Sequence, residues 1–501
     1  MYVKNRWLVL AIITSTLFLI IIDMSVLYTA LPRLTQALDA TASQKLWIVN
    51  AYPLVVACLL PGAGMLSDRI GHKTLFMSGL PVFATASLCA AYSPSAEILI
   101  ASRVFLAVGA AMMMPATLSI VRHVFTNPRE RALAIGIWSA VASGAAALGP
   151  VIGGVLLAHF WWGSVFLINV PVVLVAIVFT ARYIPRIEGD VKRPCDVIGS
   201  LMIMIGLVGV IYALKELSKI DASMMAVAVS GLTGILFMGL FVRRQTRSAH
   251  PMIDFSLFKN AGFSAGVAVA IVSMIVLIGI ELVLTQRLQL VQDLSPLRAA
   301  LTILPVPIAS ALSSTLAGMM LPRLGERRII LGGLTLTALG IICLALSFEN
   351  GLLYQMIALF ILGFGLGGPV TAASTAIMLN TPEEKAGMVA AIEDVSWELG
   401  GVLGVTLLGG LMTAAYSTLL VLPEGLVNGM KAYDSLDEAL LIAREMSQPY
   451  ATMLTELARE AFDRAFRLVL VGATVLVACS LVALRYMLRE PEIRQQVGAK
   501  S

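Results

Sequence analysis

Apolar runs of about 20 residues, the length a helix needs to cross roughly 30 Å of hydrocarbon, recur along almost the whole chain. Fourteen lie at 7–31, 46–66, 74–93, 97–119, 132–158, 164–184, 196–216, 222–242, 261–285, 297–320, 329–347, 352–378, 386–414 and 466–487. Each predicts a membrane-spanning helix, and an even number leaves both ends of the chain on one side of the bilayer. The fold class that follows is all-α integral membrane.

The polar breaks carry a pattern of their own. Gly-x-x-x-[Asp/Pro]-Arg-x-Gly-x-[Lys/Arg] occurs at Gly64, Asp68, Arg69, Gly71 and Lys73, and 254 positions later at Gly318, Pro322, Arg323, Gly325 and Arg327. The same offset carries Gly109 and Pro115 onto Gly363 and Pro369, and Arg131 onto Lys385. A turn repeated in register between membrane helices means a duplicated bundle, an architecture of transporters. The expected organisation is therefore 6 + 2 + 6: a six-helix bundle over 1–190, two inserted helices and a linker over 191–257, and a second six-helix bundle over 258–501. The linker carries His250-Pro251. Between the last two runs, at about 415–465, the chain is polar enough to leave the bilayer. Leu436–Met446 and Tyr450–Phe462 have helical spacing there, which predicts an extracytoplasmic hairpin, either a surface lid or a gate.

Composition agrees. The chain has 501 residues, 58% of them hydrophobic and 13% charged, with a mean hydropathy of +0.90, so its solvent is mostly lipid. The net charge of +5 is an orientation signal and not a nucleic-acid footprint. Arg69, Lys73, Arg122, Arg129, Arg131, Arg182, Arg186, Lys192, Arg193, Arg243, Arg244, Arg247, Arg323, Arg327 and Arg328 gather in one set of loops. Those loops and both termini are expected to be cytoplasmic. The first run, with Asp23 inside it and no small-residue cleavage site, reads as a retained helix and not a signal peptide. Cys58, Cys89, Cys195, Cys343 and Cys479 offer neither a disulfide framework nor a metal site. No His-Glu-x-x-His or Cys-x-x-Cys accompanies His72, His123, His159 and His250. No metal or cofactor is expected, and nothing supports an enzyme.

Ionisable groups at membrane depth cost at least about 2.5–3.5 kcal/mol, so each asks for a partner or a function. Asp23 lies some 24 Å along the first helix, and Glu281 lies at a similar depth in the ninth. In the thirteenth, Glu393, Asp394 and Glu398 fall near the midplane, with Asp394 and Glu398 one turn apart on one face. Two carboxylates on one cavity do not both ionise comfortably, which suits groups that gain and lose protons in each cycle. They also suit a cationic cargo that displaces the proton. The alternative is a pair satisfied by Lys385 or a neighbouring serine. Exporting a dication against 100 mV costs about 4.6 kcal/mol, more than one entering proton returns, so more than one titrating acid is useful. Arg103 cannot lose its proton; it either tunes Asp23 or forms a fixed ion pair with it. Trp138, Trp397 and Tyr52 either stack on a flat cation or pack. Gly144, Gly149, Pro150, Gly153 and Gly154 predict close packing and a bend in the fifth helix, echoed in the thirteenth by Gly400, Gly401, Gly404, Gly409 and Gly410. Asp68 can cap a helix, while Arg69 and Lys73 offer charges to the other half when the cytoplasmic side is closed.

These residues carry a resemblance over nearly the full length. Gly64-Met-Leu-Ser-Asp-Arg-Ile-Gly-His-Lys73 resembles the cytoplasmic loop signature of the Major Facilitator Superfamily, with His72 where Arg is common. Gly144 with Gly149-Pro150-Val-Ile-Gly153-Gly154 resembles its antiporter signature. Asp23-Met-Ser-Val-Leu-Tyr-Thr-Ala-Leu-Pro32, Phe166-Leu-Ile-Asn-Val-Pro171 and Trp397-Glu-Leu-Gly400 resemble the fourteen-helix drug:proton antiporters, and among those most closely the exporters of quaternary ammonium compounds and methyl viologen. Ser25 and Tyr28 depart from the first of these motifs. Leu106 and Ala107 stand where that family's arginine motif, here Arg103 and Gly109, has Gln and Gly. The resemblance implies that Asp23, Asp394 and Glu398 serve proton coupling and cation recognition. It implies that Gly149, Pro150, Gly153 and Gly154 form a hinge against the second half. The expected activity is proton-coupled export of lipophilic mono- and dications by alternating access, by a monomer in a bacterial inner membrane. Two alternatives remain: export of a specific metabolite or natural product, and a membrane receptor or assembly protein acting through the 415–465 hairpin.

Overall fold

The computed structural model describes residues 5–38, 40, 42–186, 189, 196–217, 223–248, 251, 253–347, 351–379, 381, 385–422, 430–433 and 436–488. Among them there is helix and no strand. The first half contains α1 (Arg6–Ala37), α2 (Ala42–Ile70), α3 (His72–Ala91), α4 (Ala96–Val124), α5 (Pro128–His159), α6 (Ser164–Leu167) and α7 (Asn169–Tyr183). Then come α8 (Val197–Leu217) and α9 (Met224–Arg247). The second half contains α10 (Ala261–Gln286), α11 (Pro296–Ile303), α12 (Pro305–Leu324), α13 (Glu326–Leu346), α14 (Leu352–Leu379), α15 (Ala386–Gly404), α16 (Gly410–Leu419), α17 (Leu436–Glu445) and α18 (Tyr450–Met487). Short π-helical turns at Arg287–Val291 and Val405–Gly409 extend α10 and join α15 to α16.

Among the described residues, twelve segments are long and apolar enough to cross a membrane; α5, bent by 45° between Ala146 and Val151, is a thirteenth, and α8 carries a shorter apolar stretch, Ile198–Ala213. Each of the fourteen apolar runs falls on one of these segments, although thirteen qualify as full spans. Pro150 sits inside the bend, where its missing N–H removes a helical bond. Large apolar side chains such as Met225, Leu232 and Ile235 on α9 are exposed, as lipid-facing positions must be.

The repeated turn has one backbone cause. Gly71 and Gly325, equivalent in the two copies, adopt φ of 92° and 76°, a region that β-carbon sterics deny to most residues. Each reverses the chain directly before a helix that has no side-chain cap there.

One boundary differs from expectation. The second helix of the hairpin and the last membrane helix are one 38-residue rod, α18. At 1.5 Å per residue it is about 57 Å long, so roughly 27 Å projects beyond the hydrocarbon. No glycine or proline interrupts Ala458 to Phe466, and Arg287 and Arg459 tie the projecting part to the turn after α10 through Asp463 and Asp293.

Two apolar cores hold the halves. Ile13, Leu17, Phe76, Phe83, Leu106 and Phe166 lie in the first, and Val269, Val276, Leu334, Leu362 and Phe466 in the second. The halves meet through glycines related by the internal repeat. A Cβ on Gly64 would lie 2.5 Å from the Gly387 carbonyl oxygen, and one on Gly318 would lie 2.5 Å from that of Ala132. The α2–α15 and α12–α5 crossings are thus pseudo-equivalent and close enough to exclude a methyl group. A third cluster packs Ile203, Leu207 and Ile211 of α8 and Phe241 of α9 on Ala57, Cys58 and Met65 of α2, with Leu399 and Val402 of α15 at its margin. The inserted pair therefore lies along the seam where α2 meets α15.

Candidate functional site

Asp23 is the centre of the first half's polar network. Burying a carboxylate among α1, α4 and α7 requires donors, and it has two. Arg103 Nη1 donates to Oδ2 at 2.6 Å, and Asn169 Nδ2 donates to Oδ1 at 3.0 Å. The Asp23 and Arg103 side chains are 0% and 1% exposed. Arg103 also donates from Nε to the Ile48 carbonyl at 3.3 Å and lies 4.7 Å above the Tyr52 ring. That ring is fully buried and packs against the Arg103 guanidinium, the packing alternative of the two expected for it. Its hydroxyl has no hydrogen-bond partner among the described residues. It lies within electrostatic reach of Asp23, Arg103 and Glu398.

Across the seam, the α15 acids divide by direction. Glu393 is fully buried and accepts a hydrogen bond from Ser374 of α14, within its own half. Asp394 is also buried and interacts electrostatically with both Glu393 and Glu398. Glu393 Oε2 and Asp394 Oδ2 have no hydrogen-bond partner among the described residues, a rare condition for buried oxygens. Glu398 is half-buried and lies within electrostatic range of Tyr52. Lys385 does not satisfy these acids: its Nζ pairs with Asp254 Oδ2 at 2.6 Å. Ser396 donates to the Ile392 carbonyl instead. The indoles of Trp138 and Trp397, one from each half, lie 5.4 Å apart. Trp138 is anchored by Nε1 donating to Thr117 Oγ1 at 3.1 Å. Glu281 is exposed on α10 and makes no hydrogen bond or ion pair through its carboxylate among the described residues. Arg287, at the end of the same helix, is engaged with Asp463 at 2.7 Å.

The loop signature forms a latch. Asp68 Oδ1 and Oδ2 accept from the backbone N–H groups of Gly387 and Met388, at 2.8 and 3.2 Å, at the N-terminus of α15 in the other half. That end has no side-chain cap of its own, so its orphan donors and positive dipole end are free for a carboxylate. The pseudo-equivalent α5 is capped from within its own half by Asn127 Oδ1, which accepts from Arg129 N at 2.9 Å, and the second turn carries Pro322 where the first has Asp68. Arg122 Nη2 adds a donor to the Thr381 carbonyl. Lys73 corrects its expectation: its Nζ donates to the Ala181 and Ile184 carbonyls at 3.0 and 2.6 Å, within the first half. Arg69 is half-buried and forms no ion pair among the described residues. Outside the membrane spans, burial tends to raise the Asp254 carboxyl, but hydrogen bonds from Lys385 and Ser256 outweigh it and hold it at about 2.

The glycine expectations separate. A Cβ on Gly149 would meet Ser25 Oγ at 1.8 Å, so α5 touches α1 there, whereas Gly144 and Gly154 face open space. Gly153 is buried. Gly400 and Gly404 approach the Ile271 and Ile275 carbonyls of α10. A cleft of about 500 Å³ lined by Arg459, Glu460, Asp463, Arg464 and Arg467 belongs to the ion-pair network of α18, away from the buried acids. Lys192, Arg193, Cys195, His250 and residues 423–429 of the hairpin lie outside the described residues. Sequence reasoning assigned no role to Asn169, Ser374 or Asp254. Asn169 was detectable as a lone amide in an apolar run; Ser374 and Asp254 carried no comparable signal.

Two helical bundles joined by an internal repeat, meeting over buried acids and latched at one end, define a multi-pass membrane protein of the transporter class. The model of the Major Facilitator Superfamily matches residues 13–305 and 265–427, and the chain belongs to that family. It is 41% identical over 461 residues to the methyl viologen resistance protein SmvA of Salmonella typhimurium, covering 91% of this chain and 93% of that protein. It is 36% identical over 481 residues to the multidrug efflux pump LfrA of Mycolicibacterium smegmatis, covering 95% and 94%. The human organic anion transporter MFSD10 has the same fold, with a TM-score of 0.63 at 12% identity over 95% of this chain and all of that one.

Proposed function

We propose that this chain is a proton-coupled antiporter that exports lipophilic mono- and dications, methyl viologen and quaternary ammonium compounds among them, by alternating access. The observation that carries the reading is the pair of buried carboxyl oxygens on α15, Glu393 Oε2 and Asp394 Oδ2, that have no donor among the described residues. Such oxygens suit a group that exchanges a proton for a cation. Asp23 and Arg103 form a second ionic centre in the other half, stacked on Tyr52. The similarity to SmvA and LfrA supports the cargo class. The basic loops support cytoplasmic termini in a bacterial inner membrane, with the Asp68 latch on the cytoplasmic side. The chain acts as a monomer, each half rocking about the α2–α15 and α5–α12 crossings.

The cycle follows from competition. A cation near Asp394 and Glu398 stabilises their ionised forms and expels a proton; on the far side the returning proton displaces the cation. The test is proton movement in energised everted membrane vesicles, followed with a pH-quenched dye as methyl viologen is added. Wild type should collapse the pH gradient and Asp394→Asn should not. No movement with a broad set of cations, from protein shown to be folded, would sink the reading.

A further inference from the structure

Asn169 begins α7 directly after the one-residue break at Ile168, and its side chain is 0% exposed. Its Nδ2 donates to Asp23 Oδ1 at 3.0 Å and to Ser87 Oγ of α3 at 3.2 Å, which uses both of its N–H bonds. Its Oδ1 is buried with no hydrogen-bond partner among the described residues. An amide is the one uncharged side-chain group with a donor and an acceptor related by a half-turn about its last bond.

We propose that Asn169 is the positioning residue of Asp23 in both of its protonation states, donating Nδ2–H to the carboxylate and, after a half-turn of the amide, accepting from the protonated carboxyl through Oδ1. Asp23 then gains and loses its proton without leaving its buried position. On protonation the proton goes to an Asp23 oxygen, the ion pair with Arg103 weakens, and the idle Oδ1 of Asn169 becomes an acceptor. Arg103 cannot do this, because a guanidinium has no acceptor. The groups that face Asp23 are few. Arg103 comes from α4, Asn169 from α7 and Ser87 from behind on α3. Tyr52 lies on α2 beneath Arg103, and Glu398 on α15 is within electrostatic range of Tyr52. Helix α5, packed on α1, carries Arg129, Glu130, Arg131 and His159 only at its ends, and α6 carries no ionisable group.

The inference rests on the proton-coupled reading only in giving Asp23 a protonation cycle, and its test uses no transport. The infrared carboxyl stretch of purified protein is titrated with pH, and the Asp23 band is identified by its absence in Asp23→Asn. Asn169→Leu keeps the volume and removes both functions. The ionised form loses the stronger bond, so the midpoint of the band should rise by about one pH unit or more. Asn169→Ser, whose hydroxyl both donates and accepts, should return part of the shift. Ser87→Ala, which frees the amide from its anchor, should shift the midpoint less. A midpoint unchanged in Asn169→Leu overturns the proposal, as does a shift that Asn169→Ser leaves fully in place. If Asn169→Leu does not fold, unchanged midpoints in both Asn169→Ser and Ser87→Ala overturn it. A titrating Asp23 band in a wild type that moves no protons with cations would leave this inference standing and remove the antiport reading.

Discussion

Asp68→Asn should open the end of the molecule that Asp68 latches. The carboxylate is 8% exposed, and both of its oxygens bond to the uncapped start of α15 at 2.8 and 3.2 Å. Hydrogen bonds to a charged partner contribute about 1.5–3 kcal/mol each, so complete loss is bounded at about 3–6 kcal/mol. Asparagine retains one neutral acceptor and loses the attraction of the charge to the helix dipole. A net change of about 2–3 kcal/mol follows, or roughly 30- to 150-fold in the ratio of open to closed forms. The bonds join the two halves, so they exist only when that end is closed, and the sign is toward opening. Spin labels at Thr74 on α3 and Arg328 on α13, both exposed, report the separation by pulsed electron resonance; a longer-distance population should appear. Asn127→Ala is the control, because Asn127 caps the pseudo-equivalent helix from within its own half. It should lower stability by about 1 kcal/mol without changing the distances. Equal redistribution in the two variants, or none in Asp68→Asn, would refute the argument.

Gly64→Ala should act with the same sign in the same labels, because its methyl would stand 2.5 Å from the Gly387 oxygen and 2.6 Å from Ala391 Cβ; an unchanged distribution would mean the crossing has slack. Arg103→Lys should fail to replace arginine, since a lysine loses the stacking on Tyr52 and the bond to the Ile48 carbonyl while keeping the charge. We expect at least a tenfold loss of cation-driven proton movement in vesicles, and near wild-type activity would count against the geometry. Asp254 is held at about 2, below its unfolded value of about 3.9. Its contribution to stability is therefore fully present above the unfolded value and is lost as pH falls through the folded one. The melting-temperature difference between wild type and Asp254→Asn should be constant from pH 5 to 8 and shrink between about pH 4 and 2. A difference that grows on acidification would contradict the assigned pair with Lys385.

The sequence alone determined the membrane class and the repeated turn, because each rests on local or one-dimensional physics. A helix must be about 20 apolar residues long to span the bilayer, and a reversed turn needs glycine at Gly71 and Gly325 wherever the chain folds. Pro150 announced the bend in α5 for the same reason. Only the tertiary structure decided which charges meet. Asp23 and Arg103 are 80 positions apart in their bond, and Asp68 and Gly387 are 319 apart, so no spacing rule connects them. Lys385 was available to the α15 acids by proximity in sequence, yet helix packing turned it to Asp254. Lys73, read as a contact to the other half, reaches carbonyls at the end of α7. Whether α18 would run unbroken through the membrane surface depended on its anchors to Asp293 and Arg287, contributed from elsewhere in the chain. Glu393, Asp394 and Glu398 share one helix, but their surroundings differ: Glu393 accepts from Ser374 of α14, and Asp394 keeps a carboxyl oxygen without a donor among the described residues. Local propensity fixes elements and turns because its causes lie within a few residues. Partners of buried charges are fixed by how helices cross, which depends on the whole bundle.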